Sequence, residues 1–446
     1  MTVSPFDSEI YGRLFADGEL GALFTDEAAL RTMVAFEVVL ARVEARLGIV
    51  PQDSADAIER AAAAFTPDLD DIAAGTAQTG VPVVALVRQL RAAVGGAAAD
   101  HVHWGATSQD VIDTGLVMRL HTALDLMSAR IGLLIEQLAA LADAHRGTVM
   151  AARTRAQQAV PTTFGLKAAV WLQGLATTRD RLAELRPRLL AVQFGGAAGT
   201  LSALGDRGVA VMEALAAELG LAAPAAPWPS RREAMAEFAG WLSLLTGGIG
   251  KMGQDLMLLA QSEVAEVTPG AGGGSSTMPQ KANPVGCEVM VTAARLNAAL
   301  VSAMHQALIQ DHERGGPGWQ LEWAALPQMV ACAGGALKHA IAVTGSLEVH
   351  GERMRANLDA SGGLILAEAA GFALAAHMPR DKAQALVKDA CRAVAESGRP
   401  LMEVLAGMTD APVDWPALAD PANYLGAADA LIDRILSAAQ EGRTRD

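Results

Sequence analysis

Apolar positions along this chain recur at helical rather than strand spacing. Alanine, leucine, glutamate and arginine fill long stretches at a three-to-four-residue period, and period-two alternation is scarce. The pattern predicts an all-α protein. From Asp110 to Arg146 there is no proline, and only Gly115 and Gly132 weaken the segment, so one helix of roughly 55 Å is expected there. Comparable segments follow at 162–191, 230–267, 284–310 and 321–349. Long helices joined by mostly short connections point to an elongated bundle.

On either side of the bundle the pattern shortens. Residues 1–108 read as several short helices, with turns near Gly48–Pro51 and at Gly95–Gly96. Residues 351–446 are interrupted by Gly362, Gly363, Pro379, Pro400 and Pro412. The expected organisation is an N-terminal helical domain (1–108), a central long-helix bundle carrying oligomerisation and active site (109–350), and a C-terminal helical domain (351–446). No internal repeat or heptad array is visible.

Composition narrows the class. Of 446 residues 51% are hydrophobic, yet no unbroken apolar run reaches the roughly 20 residues that span a bilayer. No membrane partner is therefore expected. The sequence MTVSPFDSEI lacks the features of a secretory signal, and three scattered cysteines offer neither a disulfide framework nor zinc spacing. Both observations point to the cytoplasm. A net charge of −14 argues against nucleic acid as a partner. Alanine- and leucine-rich helices of this length carry more apolar face than one bundle covers. A homo-oligomer is expected, a monomer with a wide core being the alternative.

The chemistry concentrates in Thr268–Pro284, TPGAGGGSSTMPQKANP. Glycines at 270 and 272–274 let the backbone approach a ligand closely. Ser275, Ser276 and the cation of Lys281 follow, and Asn283 is suited to cap the next helix with Pro284 at its first position. Serines, a lysine and a helix N-terminus around one point favour an anion, or a group gaining negative charge. A flexible connector is the bland alternative; a phosphate loop does not fit, because the Gly-x4-Gly-Lys-Ser/Thr spacing is missing.

The run Gly274–Pro284 resembles the signature loop of the fumarase/aspartase superfamily, G-S-x-x-M-P-x-K-x-N-P. His103–Asp110 (HWGATSQD) and Arg153–Thr163 (RTRAQQAVPTT) resemble that superfamily's first and second regions, in the right order. The resemblance covers essentially the whole chain. It implies three helical domains and a homotetramer whose active sites draw residues from three subunits. Within the superfamily, Thr107–Asp110, Phe194–Thr200 and the stretch Asp311–Trp323 are similar to the branch that closes a tricarboxylate diene to a lactone. The adenylosuccinate-cleaving branch is the alternative. It carries an arginine for a nucleotide phosphate where this chain has Trp323, and a serine where this chain has Gln109. A structural, non-catalytic paralogue is the alternative outside enzymes, and the presence of Ser275, Lys281 and Asn283 argues against it.

The resemblance implies roles residue by residue. Ser275 exchanges the α-carbon proton, while Lys281 and Asn283, with Ser276 and Met278 beside them, hold the carboxylate that gains charge. Thr107, Ser108 and Gln109 bind another carboxylate, with His103, Arg155 and Gln157 completing the pocket. Superfamily lyases carry a histidine where this chain has Arg155. An arginine is a poor proton donor and a strong carboxylate partner, which suits a reaction with no departing amine to protonate. No cofactor and no metal are expected: His101 and His103 lack an obvious third ligand nearby. Read without the resemblance, Thr107 and Ser108 are helix caps, His103 and Trp104 packing residues, and Asp311–Arg314 a solvated turn.

Overall fold

The computed structural model describes residues 4–270, 273–274, 277–278 and 281–441. The molecule is all-α. Its long helices are Ser108–Ala144, Phe164–Leu189, Glu233–Leu259, Val285–Gln306 and Pro317–Gly345. Local chemistry starts them where capping residues stand. Thr163 accepts a 3.0 Å hydrogen bond from the Leu166 N–H at the start of the second. At the first, the Asp110 carboxylate reaches back to the Thr107 N–H at 3.0 Å, the return arm of a capping box.

The chain divides into two compact units, 1–130 with 178–247 and 292–338, and 131–177 with 248–291 and 339–446. Their borders all fall inside long helices rather than in linkers. Unit one is packed around fully buried Phe36, Leu40, Ile58, Leu86, Leu120 and Phe238. Unit two has a core of Leu358, Leu366, Ala370, Leu374, Ala390 and Leu401. Within it, helix Phe164–Leu189 begins hard against the end of helix Ser108–Ala144. A Cβ on Gly165 would lie 2.5 Å from the Ala142 carbonyl oxygen and 2.6 Å from the Arg146 backbone, so only glycine fits.

Short strands appear where helix was expected to continue. Helix Glu233–Leu259 stops before 267, and helix Pro317–Gly345 before 349, because Val267–Pro269 (β3) pairs antiparallel with Leu347–Val349 (β6). Val149–Thr154 (β1) and Gln157–Thr163 (β2) form a hairpin with an irregular register between Ala151 and Arg153. Its two-residue turn, Arg155-Ala156, has φ of 51° and 65°. Such turns ordinarily carry Asn-Gly, so Arg155-Ala156 is no hairpin signal in the string. Gly273–Gly274 (β4) pairs with Ala282–Asn283 (β5). Asn283 therefore lies in a strand, and helix Val285–Gln306 starts one residue later than a cap at Asn283 would set. Ladder pairing with Gly273 takes precedence over capping.

Candidate active site

The first-region motif sits in unit one on a buried polar lattice. Asp110 is fully buried and accepts four hydrogen bonds: from Gln193 Nε2 (3.0 Å), the N–H groups of Gly195 and Gly196 (2.9 Å each), and Thr107 N–H (3.0 Å). Burial lifts its carboxyl to about 6, against donors that all favour the ionised form. Through these bonds Asp110 ties the Thr107 turn to the Phe194–Thr200 segment. Gly196 holds φ of +66° there, and a Cβ would stand 3.0 Å from the Gly105 carbonyl oxygen.

One turn further along the helix, Asp113 meets Arg232 in a fully buried ion pair, Nη1 to Oδ2 at 2.6 Å. Arg232 donates its Nε to Glu322 at 2.8 Å and stacks 4.8 Å from the Trp228 ring centroid. Burial works against the guanidinium charge, but Asp113 and Glu322 outweigh it and the group stays protonated. Trp319 Nε1 donates to Asp113 at 2.9 Å, and Trp323 packs edge-on against Trp319 with centroids 4.7 Å apart. Both tryptophans thus act in packing.

Gln109, expected to hold a substrate carboxylate, makes contacts of its own within the protein. Its side chain is buried and committed at both ends: Nε2 donates to Asp113 (3.1 Å) and the Pro229 carbonyl (3.0 Å), and Oε1 accepts from Arg314 Nε (2.9 Å). Asp113 demands the amide's NH2 side, which fixes the oxygen toward Arg314. Arg314 also donates to the Gly196 carbonyl at 3.0 Å. The Asp311–Arg314 cluster is thus divided, with Asp311, His312 and Glu313 exposed and Arg314 wired to the first region. Thr107 and Ser108 are half-buried at the helix start. His103 has a left-handed backbone (φ 65°), and its Nδ1 lies 2.6 Å from the buried carboxylate of Glu37.

The second region and the loop lie in unit two. Arg155 and Gln157 are exposed at the tip of the β1–β2 hairpin. Beneath them Arg153 makes a two-armed bridge to fully buried Glu266, at 2.8 and 2.6 Å, and Asn357 Nδ2 adds a 2.9 Å bond to the same carboxylate. Glu266 immediately precedes β3, so the hairpin is clamped to the base of the glycine-rich loop. The Thr268 hydroxyl and His350 Nε2, 2.8 Å apart, fix the same strand. The β4–β5 pair closes the loop's stem. Lys281 is exposed, its N–H donating to the Met278 carbonyl at 3.0 Å; Met278 is exposed and Asn283 half-buried. Ser275 and Ser276 lie outside the described residues. His103, Thr107, Ser108 and Gln109 thus belong to one unit, and Arg155, Gln157, Met278, Lys281 and Asn283 to the other. Among the described residues no group of three His, Cys, Asp or Glu side chains is arranged to hold a metal ion.

Sequence reasoning assigned no role to Glu37, Asp110, Asp113, Arg232, Glu266 or Glu322. One signal was present: Glu37 and Glu44 stand seven apart on the face that carries Met33, Phe36, Leu40 and Ala41, where solvated acids do not belong.

Residues 16–296 match the family model described as lyase, and residues 363–435 match that of the adenylosuccinate lyase C-terminus. The chain belongs to this lyase family, the fumarase/aspartase superfamily that its three motif regions resemble. Within the family it is 43% identical to 3-carboxy-cis,cis-muconate cycloisomerase of Pseudomonas aeruginosa, over 96% of each chain. It is equally identical to the Bradyrhizobium diazoefficiens protein of that name, over 96% of this chain and 98% of the relative. Among solved structures, the 3-carboxy-cis,cis-muconate lactonizing enzyme of Pseudomonas putida superposes with a TM-score of 0.92 at 39% identity, covering 98% of this chain and all of that one.

Proposed function

We propose that this protein converts 3-carboxy-cis,cis-muconate to 4-carboxymuconolactone, in the degradation of protocatechuate. The observation that carries the reading is likeness over the full length to cycloisomerases of that name, in sequence and in fold. One substrate carboxylate adds at the carbon β to another. Charge builds on the second carboxylate as an enediolate, and a proton is delivered to its α-carbon. Preorganised donors must hold that charge, and the diene must be bent into a reactive conformer. No cofactor enters this scheme.

The roles follow the family motif. Ser275 exchanges the α-carbon proton, and Ser276, Lys281 and Asn283 stabilise the enediolate, with Met278 in the same loop. Thr107, Ser108 and His103 bind a further carboxylate, and Arg155 and Gln157 close the pocket. Gln109 serves through Arg314 rather than by direct contact, since its amide is committed within the protein. The three-part organisation 1–108, 109–350 and 351–446 is the functional one, and the protein works in the cytoplasm as a homotetramer with shared sites. Helix Val285–Gln306 supports the assembly. It is apolar, with mean hydropathy 1.3, yet only 28% of its most apolar window is buried within the chain. Partner helices would cover the rest.

Ultraviolet absorbance tests the activity. The conjugated diene signal of the tricarboxylate muconate is expected to fall on addition of enzyme, and adenylosuccinate to stay intact. Cleavage of adenylosuccinate with an unchanged muconate signal would overturn the reading. Ser275→Ala is expected to abolish turnover while leaving fold and assembly unchanged.

A further inference from the structure

We propose that Glu37 is a positioning residue for the reaction: its buried carboxylate grips Nδ1 of His103 and presents the opposite ring nitrogen, Nε2, as a charged donor to a substrate carboxylate. The proposal rests on the reading above, in which His103 faces the substrate.

Four observations converge. Glu37 lies in helix Asp26–Arg46 and is 1% exposed, so water screens its interaction with the ring 2.6 Å away only weakly. His103 occupies the left-handed region at φ 65°, a conformation that disfavours side chains with a Cβ and persists where surroundings impose it. The imidazole is only partly covered, and among the described residues Nε2 has no hydrogen-bond partner. Finally, Glu37 Oε2 is buried with no donor among the described residues. An ion pair serving stability alone would satisfy both oxygens. Here strain and an unsatisfied oxygen are both tolerated, and what they secure is the orientation of one ring. A carboxylate under one imidazole nitrogen, with the other nitrogen left open, is how proteins fix which nitrogen does the work.

The surrounding charges agree in sign. Burial alone would lower the His103 imidazole, but Glu37 outweighs it, with Asp110 adding to the rise and Arg91 opposing it; the net direction is upward. Glu44, seven residues from Glu37 on the same helix, is pushed up to about 9 by burial and by Glu37. It is neutral at physiological pH, and Glu37 is the carboxyl that touches the ring. Among the first region's side chains, His103 is thus the one whose buried partner favours a positive charge, and a donor of that kind suits a polycarboxylate substrate beside the neutral hydroxyls of Thr107 and Ser108.

Glu37→Gln tests this, because the amide oxygen still accepts from Nδ1 while the charge is gone. Two measurements are made on the assembled enzyme. The first is the pH dependence of kcat/KM with the tricarboxylate muconate. The second is the titration of His103 by NMR in protein labelled at histidine Cε1, the signal being assigned by its loss in His103→Gln. Protonated His103 supports binding, so activity falls as pH rises through its titration. In Glu37→Gln both this limb and the His103 signal are expected at lower pH, with a loss of kcat/KM on the order of tenfold on the alkaline side, mainly through KM, and little on the acid side. Superimposable profiles, or an unmoved His103 titration, would overturn the proposal. Should Glu37→Gln fail to fold, His103→Gln carries the test: its alkaline limb is expected to vanish, and a persistent limb overturns the assignment. A wild-type protein inert toward muconate refutes the functional reading, while the NMR titration still decides whether Glu37 governs His103.

Discussion

At the scale of single residues, unit one is unusual for the ionisable groups it buries. Glu44 is fully buried, neither carboxyl oxygen is hydrogen-bonded among the described residues, and it holds its proton up to about 9. An unfolded chain releases that proton near 4.5. Stability linked to the proton is therefore complete in acid and is lost as pH climbs from 4.5 toward 9. Glu44→Gln cannot ionise and escapes the loss. Unfolding free energies of the two proteins are expected to run parallel in acid and to diverge as pH rises, the wild type falling behind by up to about 1.4 kcal/mol per pH unit. A constant gap across that range would show that Glu44 does not hold its proton. Arg232 is the opposite case, a buried cation between two buried carboxylates. Arg232→Met would leave Asp113 and Glu322 facing each other without a counter-charge. A loss of about 3–5 kcal/mol is expected, read as a lowered denaturant midpoint. A wild-type midpoint would mean that the three groups are not coupled.

At the scale of elements, the hairpin and the loop base behave as one piece. The Arg153–Glu266–Asn357 cluster ties β1 to the start of β3 and to helix Gly351–Asp359. This is why Arg155 and Gln157 stand on a defined tip although their turn lacks the usual glycine. The helix ends below are equally constrained. Gly165→Ala would set a methyl against backbone of the preceding helix, which cannot yield as a side chain would. Destabilisation of about 2 kcal/mol or more is expected by thermal unfolding, with no change in KM for whatever folded enzyme remains. A neutral effect would show that the two helix ends separate readily.

At the scale of the whole molecule, assembly is the property to test. Under the proposed shared sites, Ser275→Ala and Arg155→Ala subunits, each nearly inactive, would regain partial activity when unfolded together and reassembled. Some mixed sites would then hold both wild-type residues. Differently tagged subunits verify that mixed oligomers form, and mixed oligomers without recovery would refute sharing between these two positions.

Much of this protein was legible along the chain. The long helices follow from local periodicity and from prolines and glycines that stop them, and Ser108–Ala144 lies within two residues of the segment its pattern marks. The glycine-rich loop and its Lys281 and Asn283 were likewise visible, because a motif is a local string. Partners were not. Gln109 looks like a ligand-binding amide in the sequence, and only the approach of Asp113, Pro229 and Arg314 turns it inward. Arg153 looks no different from Arg155 until Glu266, 113 positions away, claims one and leaves the other exposed. Helix continues through 267 and 347 in the pattern, and strand pairing between those two stretches ends it. Helical periodicity is set by neighbours three and four residues away and is written in the string. Which buried charge meets which is set by groups a hundred residues apart, where desolvation makes a partner obligatory and only the fold supplies it.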